Sequence, residues 1–189
     1  PGRCGTTLQT IPAQVPDRWA QPQAVAAWRT RLPAAPLRVG LAWRGSAQFE
    51  NDDARSLATL DVLAPLSAVD GVQFVSLQKG AGENDTSASL ALVAGGAALG
   101  DMADTAALVA NLDLVISVDT AVAHLAGALG KPCWLLLPDY LPDWRWMAGR
   151  LDTPWYSTMR LFRQPATGGW QPLIGHLAQE LARWRQAHG

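Results

Sequence analysis

The chemistry this chain can do is written most clearly in SVDTAVAHLAGALGKP, residues 117–132. An apolar run ends at Val118, Asp119 and Thr120 form a turn, and a helical pattern starts at once. The first amides of a helix lack intrahelical partners and lie at the positive end of its dipole. That arrangement suits an anion, most simply a phosphate. His124 lies four residues beyond Thr120, on the same helix face, and can donate to that phosphate. The other reading is that Asp119 or Thr120 only caps the helix and His124 is a partly buried helix residue. Arg44, in LAWRGS, follows another apolar run and carries the forked cation that suits a diphosphate. Arg55, in the polar run NDDARS, either caps a helix starting near Ser56 or reaches the same anion. Glu83 in SLQKGAGE can take ribose hydroxyls, as an acidic residue does in dinucleotide folds, or is a solvated loop charge. Lys79 is a second candidate cation or an ordinary exposed lysine.

Such residues need elements to hold them. Residues 1 to about 21 carry Pro12 and Pro16 and read as an irregular lead-in. A helix follows over 23–32, with Val25, Trp28 and Leu32 on one face, stopped by Pro33 and Pro36. From Leu37 apolar runs alternate with helical patterns. Strands are predicted over 37–43, 72–77, 114–118, 133–138 and 159–163, with a short one near 91–93. Helices are predicted over 57–69, 105–112, 120–129 and 172–187, and a short one over 142–150. The glycines at 95 and 96 break any helix there. Gly130 and then Pro132 stop the 120–129 helix. The final helix shows Ile174, Leu177, Leu181 and Trp184 along one stripe. Strands that are continuous apolar runs are buried on both faces. The fold class is therefore α/β: a doubly wound, mainly parallel, Rossmann-like sheet over 36–189, with 1–35 as linker and lead-in helix. Ligands of such sheets bind beyond the carboxyl ends of the strands, where Arg44 and Asp119 fall.

Composition removes several classes. Of 189 residues, 49% are hydrophobic, enough to exclude intrinsic disorder. The net charge of −1 argues against a nucleic-acid binder relying on counterion release. Cys4 and Cys133 form no CxxC or zinc spacing, which points to a reducing, cytoplasmic compartment. No stretch reads as a membrane span or a signal peptide. The chain opens on Pro1 and not Met, so it reads as a fragment or trimmed form. Its basic residues are nearly all arginine, and with abundant Ala and Pro this suggests GC-rich bacterial coding. Neither GxGxxG nor GxxxxGK[ST] occurs, so the common NAD and P-loop readings lose their support. No GxSxG elbow occurs either. Asp52 and Asp53 are the nearest approach to a carboxylate cluster, and no metal is expected. The aromatics of 137–164, among them Tyr140, Trp144, Trp146, Trp155 and Tyr156, either stack on a sugar or base or pack the last helix onto the sheet. Asp143 and Arg145, just after the apolar run that ends at Pro138, are placed to touch such a sugar.

SVDTAVAHLAGALGKP, together with LAWRGS (41–46), SLQKGAGE (76–83) and ADTAALVANLDLVISVDT (103–120), resembles the C-terminal half of a family 9, heptosyltransferase-like glycosyltransferase of the GT-B fold. The pattern is most similar to bacterial members that carry tetratricopeptide repeats upstream. The resemblance runs from about Pro12 to Gln171. It implies the donor-binding domain of an enzyme that moves a hexosyl or heptosyl group from a nucleotide diphosphate sugar to an acceptor, either a lipopolysaccharide-type glycan or a protein. It implies that Arg44, Gly45, Ser46, Arg55, Asp119, Thr120, Ala121 and His124 hold the donor diphosphate. Gln78, Lys79, Glu83 and Thr105 would approach the nucleoside. Ala121 departs from the family, whose members commonly carry Gly there. The acceptor site and catalytic base would belong to an N-terminal half not contained in this chain. The alternatives are a non-catalytic nucleotide-sugar binder and a protein-interaction module.

Overall fold

The computed structural model describes residues 5–166 and 168–188. Cys4 lies outside them. Six parallel strands form one sheet: β1 (Leu37–Ala42), β2 (Val72–Ser76), β3 (Leu92–Val93), β4 (Leu114–Val118), β5 (Cys133–Leu137) and β6 (Met159–Arg163), in the order β3-β2-β1-β4-β5-β6. β1 pairs with both β2 and β4, so the strand order reverses between β1 and β4. That crevice is the expected ligand position in a doubly wound sheet.

The strand pattern follows from burial on both sides. Leu114, Ile116 and Val118 of β4 face one apolar cluster and Val115 faces the other, and all of them are shielded from water. On the first face lie α5 (Gln171–His188) and a 3-10 helix, Leu60–Ala68. Ile174, Leu177 and Leu181 of the α5 stripe are fully buried against Trp134, Leu136 and Phe162. The opposite face carries α1 (Pro22–Arg31), α3 (Met102–Ala110) and α4 (Ala121–Ala128). Trp28 of α1 and the following Leu32 lie in that cluster, and the Asn111 side chain donates to the Val25 carbonyl at 2.9 Å.

Four expectations change in detail. Residues 57–69 do not form an α-helix: the segment is 3-10 over Leu60–Ala68 with Pro65 inside it, and proline lacks the amide an α-helix would use there. The helix expected at 105 starts at Met102, because the Asp101 side chain caps it by accepting from the amides of Ala103 and Asp104. Residues 52–55 close a single turn, α2 (Asp52–Arg55), so Arg55 ends a helix instead of capping one that begins at Ser56. The short helix expected over 142–150 shrinks to a 3-10 turn, Trp144–Trp146. Among the described residues no helix is long and apolar enough to cross a membrane.

Candidate functional site

A cleft of about 700 Å³ opens beyond the carboxyl ends of β1, β2 and β4. Its walls are Arg44–Gln48 after β1, Leu77–Ala81 after β2, Leu99–Met102 before and at the start of α3, and Thr120–Val122 at the start of α4. Nine of the twelve residues singled out in the sequence line this one space: Arg44, Gly45, Ser46, Arg55, Gln78, Lys79, Thr105, Thr120 and Ala121. Asp119, His124 and Glu83 line neighbouring pockets instead.

Thr120 is the N-cap of α4 but makes no side-chain cap bond; its Oγ1 lies 3.0 Å from Ser117 Oγ. The capping reading of this turn therefore does not describe its side chains. Ala121, the departure from the glycine of the resembled family, is exposed at the cleft mouth. Arg44 is half-buried, and its Nε is shut from water with no hydrogen-bond partner. Among the described residues no carboxylate lies within ion-pair distance of it. Arg55 is committed already. Its Nε donates to Asp52 Oδ1 at 3.0 Å, another guanidinium nitrogen donates to the Asp119 carbonyl at 3.1 Å, and the group lies over the Phe49 ring. Arg55 thus ties the loop after β1 to the end of β4. Asp52 also accepts from Ser56, so its carboxylate is spent inside this loop.

Gln78 lines the cleft as a buried clamp: Oε1 accepts from the amides of Trp43 and Arg44, and Nε2 donates to the carbonyls of Arg44, Lys79 and Ala81. It joins the loops after β1 and β2 and fixes the backbone that carries Arg44. Glu83 turns back on its own loop, accepting from the Gly80 amide and Lys79 Nζ, and that amide bond leads in holding its carboxyl below the ordinary range. Thr105 is buried in the cleft floor, donating to the Asp101 carbonyl.

Asp119 and His124 belong to a second layer behind the α4 turn. Trp146 Nε1 donates to Asp119 Oδ2 at 2.8 Å, and His124 Nε2 stands 3.8 Å from Asp119 Oδ1. The Asp119 carboxylate faces a small pocket of about 120 Å³ shared with Phe49, Tyr140 and Asp143, not the main cleft. Burial pushes its carboxyl above the ordinary range, against the opposing pull of the Trp146 N–H and the nearby His124 and Arg55. Burial likewise holds His124 below the ordinary imidazole range, opposed by the Asp119 charge. A raised carboxylate costs stability at all pH values above its folded pKa, and the cost disappears as pH falls through it. Asp119→Asn keeps an oxygen for Trp146 and removes the charge. Thermal melts from pH 8 to pH 4 are expected to show a higher melting temperature for Asp119→Asn at neutral pH and a margin that shrinks toward acid.

The aromatics of 137–164 divide. Trp146 is fully buried in the cluster beneath α3 and α4, so it does not pack the last helix; α5 is on the other face. Trp144 and Tyr140 are exposed, with Trp144 edge-on to Trp155 and under the Arg145 guanidinium. Arg145 pairs with Asp143 at 2.8 Å. On the α3 side of the cleft the sequence singled out only Thr105; Leu99–Met102 were missed, although an Asp directly before the helical pattern at 102 is a preferred N-cap residue.

The loops that make this cleft carry a family signature. Residues 81–135 match the model of "Glycosyltransferase family 9 (heptosyltransferase)". Over that span the chain is similar to family 9 glycosyltransferases. The matched span runs from the loop after β2 through α3, β4 and α4 into β5, hence over two walls of the cleft. The chain is also similar to Protein FlbA of Caulobacter vibrioides, at 30% identity over 187 residues, covering 93% of this chain and 30% of FlbA. Among solved structures it is similar to the E. coli heptosyltransferase WaaC with ADP, with 13% sequence identity and a TM-score of 0.49, over 96% of this chain and 53% of that one. The domain spans about 30% of the length of FlbA and about half of the WaaC chain.

Proposed function

We propose that this domain binds the nucleotide diphosphate sugar donor of a glycosyl transfer. The observation that carries the reading is a cationic side chain without a carboxylate partner, Arg44, sharing one cleft with the uncapped amino end of α4. The cleft lining also includes apolar Leu77, Leu99 and Met102, which suit a base, and Gly45, Ser46 and Thr120, which suit phosphates. The smaller pocket with Asp119, Asp143 and Tyr140 offers acceptors and an aromatic edge for sugar hydroxyls.

In the transfer, negative charge develops on the departing diphosphate as the bond to the sugar breaks. Arg44 and the first α4 amides supply fixed positive potential where that charge grows, which is electrostatic stabilisation of the transition state. These groups can serve without a metal ion, and we propose that none is required. The acceptor, a glycan of lipopolysaccharide type or a protein, and the base that activates it belong to a further half of a longer, cytoplasmic protein. The boundary near residue 36 between lead-in and donor domain, and an upstream tetratricopeptide region, are part of the same proposal.

A thermal-shift screen of the chain against ADP, UDP, GDP and CDP tests it. A ligand at about 100 times its dissociation constant stabilises by roughly 2.7 kcal/mol, which for a chain of this size is a rise of about 5–10 °C. A rise with one nucleoside diphosphate, absent with its nucleoside, is the expected result. No rise with any of them, from a cooperatively melting sample, would overturn the reading.

A further inference from the structure

We propose that Tyr156 is a positioning residue that fixes the tautomer of His124, so that the imidazole presents its Nε2–H to Asp119 at the turn that starts α4. The geometry asks where a neutral imidazole keeps its single ring proton. Tyr156 Oη lies 3.1 Å from Nδ1, and Asp119 Oδ1 lies 3.8 Å from Nε2. With the proton on Nδ1, the Nε2 lone pair would point at a carboxylate and the tyrosine hydroxyl would have to accept. With the proton on Nε2, an N–H points at the carboxylate and the Tyr156 O–H donates to Nδ1. Only the second arrangement is favourable at both nitrogens. It depends on a hydroxyl at position 156, because the partner of one ring nitrogen decides which nitrogen carries the proton.

The surroundings hold this pair in place. The Tyr156 ring lies against Gly127 of α4 so closely that a Cβ there would stand 2.5 Å from ring carbon Cγ. The other face of the network is Trp146, stacked on His124 with centroids 5.2 Å apart and planes 27° apart, while its Nε1 donates to Asp119 Oδ2. Trp146 is itself pinned by Arg163, which donates to the Trp146 carbonyl at 2.6 Å. The charged groups facing the imidazole are Asp119, Asp143 and Arg145. Asp119 is therefore held at Oδ2 by the indole N–H, and its Oδ1 faces the imidazole Nε2 at 3.8 Å. Its carbonyl is meanwhile held by Arg55. The network sets the turn from which the first α4 amides reach the cleft, and its bearing on ligand rests on the donor reading.

Nitrogen-resolved NMR of the 15N-labelled chain, recorded without ligand at a pH where imidazole is neutral, reads the tautomer directly. The His124 signals are identified by their loss in His124→Asn. The expected result is a protonated Nε2 and a bare Nδ1 in the wild type. In Tyr156→Phe, which keeps the ring against Gly127, the expected result is a mixture of the two tautomers with the melting temperature nearly unchanged. A protonated Nδ1 in the wild type overturns the proposal, as does an unchanged tautomer in a folded Tyr156→Phe. Because the wild-type tautomer is read without Tyr156→Phe, a Tyr156→Phe that failed to fold would leave that decision intact. Calorimetry with the four nucleoside diphosphates separates this from the donor reading. Tyr156→Phe is expected to weaken binding about fivefold, the worth of one neutral hydrogen bond. If the wild type binds none of them, the donor reading falls and the tautomer still decides this proposal.

Discussion

Arg44→Ala is expected to weaken nucleoside diphosphate binding by about 10- to 100-fold while leaving the melting temperature of the free chain nearly unchanged. The two halves of that result have separate causes. Hydrogen bonds to a charged partner contribute about 1.5–3 kcal/mol, and about 1.4 kcal/mol is tenfold in affinity. In the free domain Arg44 makes no ion pair among the described residues and buries an Nε that nothing satisfies, so truncation removes little that holds the fold. Its backbone stays clamped by Gln78 through both N–H and C=O. Arg55→Ala provides the contrast. That side chain is consumed by Asp52, the Asp119 carbonyl and the Phe49 ring, so its loss is expected to lower the melting temperature as well. Arg44→Lys should recover only part of the affinity, because an ammonium cannot reproduce the two-pronged geometry of a guanidinium. Isothermal calorimetry at fixed ionic strength is the measurement. Equal affinities for wild type and Arg44→Ala would remove Arg44 from the site.

What made the main cleft legible in the sequence was topology more than chemistry. Arg44 and Thr120 stand out because each closely follows an apolar run, Gln78 only through the family resemblance, and a parallel sheet brings the ends of β1, β2 and β4 to one edge. Strands were readable because both faces are covered, so Val115 and Ile116 are apolar even though they point to opposite clusters. The 60–68 segment has an apolar pattern that fits either helix type, and Pro65 decided against the α form. Roles set by long-range contact stayed hidden. His124 sits one turn beyond Thr120, as its spacing implied, but its partners Trp146 and Tyr156 come 22 and 32 residues later, as the numbering shows. Gln78 enters as a nucleoside-facing residue only through the family resemblance. Nothing local to SLQKGAGE reveals that its amide would be used up by Trp43 and Arg44, more than thirty residues earlier.

That clamp makes Gly96 the position where one methyl group should cost most. Gly96 opens the 3-10 turn Gly96–Ala98, is buried, and lies against the backbone carbonyl of Gln78. A Cβ built there falls far inside van der Waals contact distance of that oxygen, and the obstruction is backbone, not the end of a flexible side chain. The turn must therefore move away from β2 or Gln78 must move toward β1. Overpacking of this kind costs about 1–3 kcal/mol, or more where backbone must shift. At the upper figure of about 3 kcal/mol, and roughly 2–4 °C per kcal/mol for a chain of this size, Gly96→Ala is expected to melt about 6–12 °C below wild type. The damage is also expected to reach the site. Gln78 holds the amide and carbonyl of Arg44, so displacing it displaces the cation, and nucleoside diphosphate affinity should fall with stability. Gly175→Ala separates this steric cause from any general intolerance of alanine for glycine. Gly175 lies inside α5 with nothing within 4 Å of a built Cβ, and alanine is favoured over glycine in a helix by about 1 kcal/mol. The same substitution should therefore raise the melting temperature by about 2–4 °C there and leave binding alone. A Gly96→Ala protein that melts and binds like wild type would show that the turn yields without disturbing Gln78. The chain of support from β3 through Gln78 to Arg44 would then be broken at its first link.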